Sequence, residues 1–106
     1  MKREKLIELF NWKISSELKI IKYRMLQKTK EELYASAYEV DCTICIFELL
    51  KEMSLHMDIE LLNACLQIPS LINFLYLEWL KIDDNRNAEL ENSLWAVLKE
   101  IDEKIA

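Results

Sequence analysis

The sequence predicts an all-α fold: a compact bundle of about five helices that forms a single domain over residues 1–106. Glycine is absent and proline occurs once, which disfavours tight hairpin turns, phosphate-binding glycine loops and flexible linkers. Apolar residues make up 52% of the chain and recur at steps of three and four, as in helices that bury one face. The pattern predicts two long N-terminal helices, a short third helix and two further helices, and it leaves open whether they pack orthogonally or up and down.

The two N-terminal helices are the longest that the pattern predicts. The first runs from about Arg3 to Lys28 and turns one stripe toward the core: Ile7, Phe10, Ile14, Leu18, Ile21 and Met25. Thr29, followed by acids in the next turn, is typical of a helix N-cap, so we expect a break there. The second helix then extends to about Met53, and its wide stripe predicts a heavily buried helix through Leu33, Tyr34, Ala37, Tyr38, Ile44, Cys45, Phe47 and Leu50.

Three shorter helices complete the prediction. Asp58 is expected to cap a third helix, Ile59–Gln67, which Pro69 ends. Ser70 is expected to cap a fourth helix that reaches about Lys81 and packs through Leu71, Phe74, Leu75, Trp79 and Ile82. The run Asp83-Asp84-Asn85 then ends it. A fifth helix, from about Asn87 to Lys104, carries the stripe Leu90, Leu94, Val97, Leu98, Ile101 and Ile105.

Charge is unevenly distributed along the chain, although its net value is only -5. Residues 1–30 hold nine Lys/Arg and three Glu, a net +6, whereas residues 31–106 hold five Lys/Arg and sixteen Asp/Glu, a net -11. The basic segment suits phosphate or an acidic protein, and the acidic remainder repels nucleic acid. Alternatively, the two halves neutralise each other within one bundle or between two copies.

The first helix carries a second apolar band roughly opposite its core stripe. With about 100° per residue, Leu9, Trp12, Ser16, Ile20 and Tyr23 share this band, and Lys5, Lys13 and Lys19 border it. An apolar anchor with a charged border is typical of protein interfaces. The band is therefore covered within the monomer, paired with a second copy, or bound to another protein.

Two candidate binding surfaces follow from these patterns. The first consists of Leu9, Trp12, Lys13, Ser16, Lys19, Ile20 and Tyr23. The second is an acidic face on the last helix, formed by Glu89, Glu91, Trp95, Asp102 and Glu103.

The residue types that usually carry catalysis form no complete constellation. Cys42 and Cys45 have the spacing of a redox or zinc pair, but they fall within a helix and lack a second pair, so we expect reduced core thiols. His56 is the only histidine, which leaves no His pair or Ser-His-Asp triad. The sequence predicts no enzyme, no metal, no cofactor and no small-molecule substrate.

A polar cluster is expected at the edge of the core. There, we expect Tyr34, Tyr38 and Asp41 to form a hydrogen-bonded network, or else a small polar site.

The cysteine count and the lack of a long apolar run bear on location. An odd number of cysteines, together with the lack of a long apolar run or signal segment, predicts a soluble protein of the reducing cytoplasm with no membrane partner.

Several short segments are similar to a known family. Residues 26–33, Leu26-Gln27-Lys28-Thr29-Lys30-Glu31-Glu32-Leu33, and Ala37-Tyr38-Glu39 resemble the domain-of-unknown-function family 3848 of short bacterial proteins. The likeness covers about residues 25–82 and extends to Leu61-Leu62, Ile68-Pro69-Ser70-Leu71 and Tyr76-Leu77-Glu78-Trp79-Leu80. Where family members often carry an acidic pair a few residues after the Tyr-Glu dipeptide, this chain has Ile44-Cys45.

The resemblance implies what kind of genetic element encodes the protein, and it implies no catalysed reaction. The family occurs mainly in gut Firmicutes and their mobile elements, which implies an accessory protein of a phage or mobile element without catalytic activity. Such proteins often occupy a host protein's surface, including as inhibitors of antiviral defence systems of the CRISPR type. The sequence thus predicts a non-enzymatic module that binds a host protein or a second copy. The alternative is a small nucleic-acid-associated regulator that uses the basic first helix.

Overall fold

The computed structural model describes residues 2–81 and 90–105, with side chains up to Glu103. Within these ranges the regular elements are α1 (Arg3–Leu26), α2 (Lys30–Ala35), α3 (Ala37–Met53), a 3₁₀ turn (Ser54–His56), α4 (Ile59–Leu66), α5 (Leu71–Leu80) and α6 (Leu90–Ile105). The all-α bundle is confirmed, with six α-helices in this part of the chain where the sequence predicted five. The predicted ends at Asp83-Asp84-Asn85, the start at Asn87, and the packing of Ile82 and Ile105 lie outside the residues described.

The additional helix results from a break at Ser36, within the predicted second helix. The Ser36 N–H donates to the carbonyls of both Glu32 and Leu33, at 3.0 and 3.1 Å, which closes α2 tightly. The Ser36 hydroxyl accepts a 3.1 Å hydrogen bond from Lys28 Nζ. The break changes which face of the next helix points inward. The sequence-based stripe is therefore wrong for several positions, because α3 buries Cys42, Thr43, Ile46, Leu50 and Met53.

The largest errors in the predicted stripe of the second helix are its two tyrosines, which were expected to be buried. Tyr34 is 86% exposed and Tyr38 is 52% exposed. Ala37 is exposed as well, whereas Leu33, Ile44, Cys45 and Phe47 are half-buried. Apolar character alone did not show which side of the helix the rest of the chain covers.

The core lies where α1, α3, α4, α5 and α6 meet. From α1 it takes Leu6, Phe10, Ile14 and Leu18, so the predicted Ile7 is half-buried and its neighbour Leu6 takes the inner position. Ile21 and Met25, also expected in the core, are half-buried. α4 packs against both α1 and α6. Further buried side chains come from α5 (Leu71, Ile72, Leu75, Tyr76, Trp79) and from α6 (Leu94, Leu98, Ile101).

Two of the three predicted helix caps are confirmed. Thr29 Oγ1 accepts from the Glu32 N–H at 3.2 Å, and Asp58 Oδ1 accepts from the Leu61 N–H at 2.8 Å. Ser70 does not cap α5 with its side chain: its backbone is left-handed (φ 53°, ψ 54°), where α4 and α5 meet at a bend of 95°. Glu17 of α1 takes that role instead, because its Oε1 accepts from the Ile72 N–H at 2.8 Å.

The helices are short or polar compared with membrane-spanning segments. In the two described ranges no single helix is long and apolar enough to cross a membrane. The α4 and α5 pair meets the length and composition criteria only when both helices are taken together, across the 95° bend.

Candidate protein-binding surface

The predicted partner-binding residues of α1 divide into an exposed and a half-buried group. Trp12 is 73% exposed, and Lys19, Ile20 and Tyr23 are exposed as well. These side chains are not covered within the monomer, which removes one of the three interpretations of the second apolar band. The half-buried group consists of Leu9, Lys13 and Ser16.

Lys13 belongs to the interior rather than to the border of the band. Its Nζ is hydrogen-bonded to Glu17 Oε2, and the two side chains are only 16% and 13% exposed. The other oxygen of the same carboxylate caps α5 through Ile72. A lysine four residues before a glutamate can therefore be part of the helix-packing contact, and Lys13 is less exposed than its predicted place at the border of the band implied.

The two most exposed large apolar side chains among the described residues, Tyr34 and Leu26, lie on what we call the arm, the last turns of α1 from Lys19 together with α2, ending at Ala35. No residue of α2 is buried, although the helix is capped at its start by Thr29. Leu26 is 80% exposed and joins Ile20, Tyr23 and Tyr34 as large apolar groups of the arm. Large apolar side chains that are held on helices but left exposed are typical of a binding surface.

The arm is also basic. From Lys19 to Lys30 the chain has five cations and no carboxylate; Glu31 and Glu32 follow in the first turn of α2. The ion pairs in the described part of the chain are local: Lys5 with Glu8, Lys13 with Glu17 and Lys81 with Glu78. Among the described residues, these ion pairs do not join the basic segment to the acidic remainder.

A groove of about 200 Å³ opens beside the arm, between α1, α3 and α5. Ile20, Ile21 and Met25 give it an apolar wall, and Arg24 and Lys28 add positive charge. Glu39 lines the groove from the α3 side. The sequence pattern did not indicate this concavity, because it requires three helices that are distant in the chain.

The expected Tyr34, Tyr38 and Asp41 cluster does not form. Tyr38 instead accepts a 2.9 Å hydrogen bond from Trp79 Nε1, which links α3 to α5. Tyr34 and Asp41 are exposed. The tyrosine of the interior is Tyr76, and burial, followed by the Glu39 carboxylate, raises its pKa above the ordinary value.

The cysteines lie in three different environments, and none is in a disulfide. Cys42 and Cys65 are buried, and burial raises the pKa of Cys65 to about 12. Cys45 is half-buried; burial first, then the nearby carboxylates of Asp41 and Glu48, raise its pKa. The thiols of Cys45 and Cys65 are therefore less acidic than a free thiol. Within residues 2–81 and 90–105 no three His, Cys, Asp or Glu side chains are grouped to hold a metal.

An acidic groove on α3 was missed by the sequence analysis. Asp41, Cys45, Glu48 and Glu52 follow one another at steps of four and three, so they share one side of the helix. Glu48 and Glu52 border an open groove of about 320 Å³ with Cys45, Leu49 and Leu90 of α6. The spacing of the acids was visible in the sequence, but the contribution of Leu90 was not. We call this feature the α3 groove.

The predicted acidic face of α6 is only partly exposed among the described residues. Glu91 and Glu103 are exposed, but Trp95 and Asp102 are half-buried, and Trp95 packs against the core. With about 100° per residue, Glu103 points roughly 100° away from Asp102. Glu89 lies outside the residues that the structure describes.

The arm and the α3 groove offer different contacts. The arm offers exposed aromatic and aliphatic side chains among cations, and the α3 groove offers carboxylates around an apolar floor. His56 lies exposed at the 3₁₀ turn. No protein-family model, curated protein or solved structure matches the chain.

Proposed function

We propose that this protein is a non-enzymatic protein-binding module that uses the arm, together with Trp12, to bind its partner. The observation that carries the proposal is the exposure of Trp12, Tyr23, Leu26 and Tyr34 on elements that are ordered but largely uncovered. Tyr, Trp and Arg dominate binding energy at protein interfaces, since they bury large areas and keep a polar group for hydrogen bonding.

The charge of the arm supports an acidic partner surface. Lys19, Lys22 and Arg24 are exposed and lie next to the apolar groups. Complementary charge around an apolar anchor accelerates association and selects among partners. The groove between α1, α3 and α5 adds a concave site in which one apolar side chain of the partner is buried.

The resemblance to the mobile-element family supports a host protein as the partner. We propose that the module inhibits this protein, an antiviral defence protein of the CRISPR type, by occupying its surface. Its place of action is the cytoplasm, which suits three reduced thiols and an odd cysteine count.

A second candidate function is binding of nucleic acid by the basic arm. It is supported by five cations from Lys19 to Lys30 with Tyr23 among them, the combination of groups that contacts phosphates and stacks on bases. The acidic remainder of the chain, with its net -11, opposes it. We therefore place it second.

Capture from host lysate with three forms of the chain tests the proposal. The wild type and a control, Leu55→Ala/Leu77→Ala, are expected to retain the same host protein, because both control positions are exposed but lie off the arm. Trp12→Ala/Tyr23→Ala is expected to lose it, since truncating an anchor costs about 2 kcal/mol or more, roughly a thirtyfold weakening. Retention by all three forms contradicts the proposal.

Nuclease treatment and salt separate the two candidates. A protein partner survives nuclease, whereas nucleic-acid binding is lost on nuclease treatment and falls steeply and log-linearly with salt concentration.

A further inference from the structure

Two features of the described residues are complementary in charge. The arm is basic and carries exposed apolar groups such as Tyr23 and Leu26. The α3 groove is acidic, with Glu48 and Glu52 at its border and Leu49 and Leu90 in its lining. Each supplies the charge that the other lacks.

The arm cannot fill the α3 groove of its own chain. It joins α3 at Ser36, and Glu48 lies twelve residues further along, about 18 Å away at roughly 1.5 Å per residue. α2 has only six residues, about 9 Å of helix. On the α1 part of the arm, Ile21 packs against the core, whereas Tyr23 and Leu26 are exposed.

We propose that the occupant of the α3 groove is the arm of a second copy of this chain, so that the protein forms a dimer by exchange of arms. A two-fold axis produces the contact twice, with each copy giving its arm and receiving the other's. Lys19 and Lys22 face the carboxylates of Glu48 and Glu52, and an apolar group of the arm covers Leu49 and Leu90. The two charged parts of the sequence thus neutralise each other between copies.

This inference goes beyond the proposed function, because it concerns what the arm does in the absence of another partner. The dimer covers the arm, so the second copy and a host protein compete for the same side chains. A variant that cannot form the dimer but keeps its own arm intact therefore binds the host protein more strongly than the wild type does.

Reversal of the charge on each of the two surfaces, in separate variants of the full chain, tests the dimer. The arm variant is Lys19→Glu/Lys22→Glu, the groove variant is Glu48→Lys/Glu52→Lys, and a matched control on α6 is Glu91→Lys/Glu103→Lys. All six positions are exposed, so folding is retained, which far-ultraviolet circular dichroism checks. Light scattering after gel filtration at submillimolar concentration measures the mass, with 12.7 kDa for the monomer.

The wild type and the control are expected at twice the monomer mass. The arm variant and the groove variant, each alone, are expected as monomers with a dimer Kd raised by roughly tenfold or more, because like charges then face each other. Their equimolar mixture is expected to recover the dimer, since each reversed surface meets its opposite.

Three results would overturn the dimer: a monomeric wild type, a mixture no more dimeric than its components, or a control that dissociates as much as the groove variant. None of these removes the host partner. The groove variant still has the native arm, so its capture of a host protein reports on the proposed function separately.

Discussion

The two ends of α1 are equally helical, yet the rest of the chain buries its side chains only as far as Leu18. Leu6, Phe10, Ile14 and Leu18 are buried in the first half and its middle, whereas Ile20, Tyr23 and Leu26 are exposed further along. The same step of three and four residues generates both sets. Apolar periodicity therefore predicts a helix in both halves, but only the packing partners decide whether a given face stabilises the fold or remains available for binding.

The halves also differ in how their charges are used. In the middle of α1, Lys13 and Glu17 are paired and largely buried, and Glu17 fixes the start of α5. In the arm, Lys19 and Lys22 extend into solvent. Buried polar groups need partners, so the Lys13–Glu17 pair contributes to the fold, while the exposed Lys19 and Lys22 can contact an external surface.

The largest expected difference in stability is between alanine substitutions at two tryptophans, one buried and one exposed. Trp79 is 7% exposed and donates to Tyr38, so Trp79→Ala is expected to reduce the free energy of unfolding by about 3–5 kcal/mol. Trp12 is exposed, and Trp12→Ala is expected to cost about 0.5 kcal/mol or less. Urea denaturation at several protein concentrations measures both and separates folding from association. Equal losses at the two sites contradict the placement of Trp79 in the core and of Trp12 on the exposed band of α1.

The Glu17 cap is expected to have the next largest effect. Glu17→Ala leaves the Ile72 N–H without its acceptor and Lys13 without its charge partner, which costs about 1–3 kcal/mol of unfolding free energy. Glu17→Gln keeps an acceptor for Ile72 and is expected to lose less. Thermal denaturation of the two variants checks the order, and a loss from Glu17→Ala no larger than that from Glu17→Gln shows that the cap contributes nothing.

The smallest expected difference in stability is between removal of the two confirmed N-caps, because each cap stabilises a different helix. Asp58 caps α4, which is packed in the core, so Asp58→Ala is expected to cost about 1 kcal/mol of global stability. Thr29 caps α2, which buries no residue, so Thr29→Ala changes global stability by less than about 0.5 kcal/mol. Amide hydrogen exchange should instead accelerate in α2 alone. Faster exchange throughout the bundle after Thr29→Ala shows that the arm is coupled to the core.

Features that depend on neighbouring residues were predictable from the sequence by itself. The absence of glycine and the three-to-four step determined the helical class, and a Ser/Thr/Asp residue before an acidic first turn determined the caps at Thr29 and Asp58. The α6 stripe of Leu94, Leu98 and Ile101 was likewise correct. The exposed part of the candidate site, Trp12, Lys19, Ile20 and Tyr23, followed from the same periodicity.

Features that join distant parts of the chain were decided only by the tertiary structure. Glu17 replaces Ser70 as the α5 cap because α1 lies against the start of α5, fifty-five residues away in sequence. The break at Ser36 selects which side of α3 is buried, and it leaves Tyr34 in solvent and Cys42 in the core. Leu90 completes the α3 groove from α6. Periodicity specifies which side chains share a face, but burial is a property of what packs against that face, and that depends on contacts a local pattern does not contain.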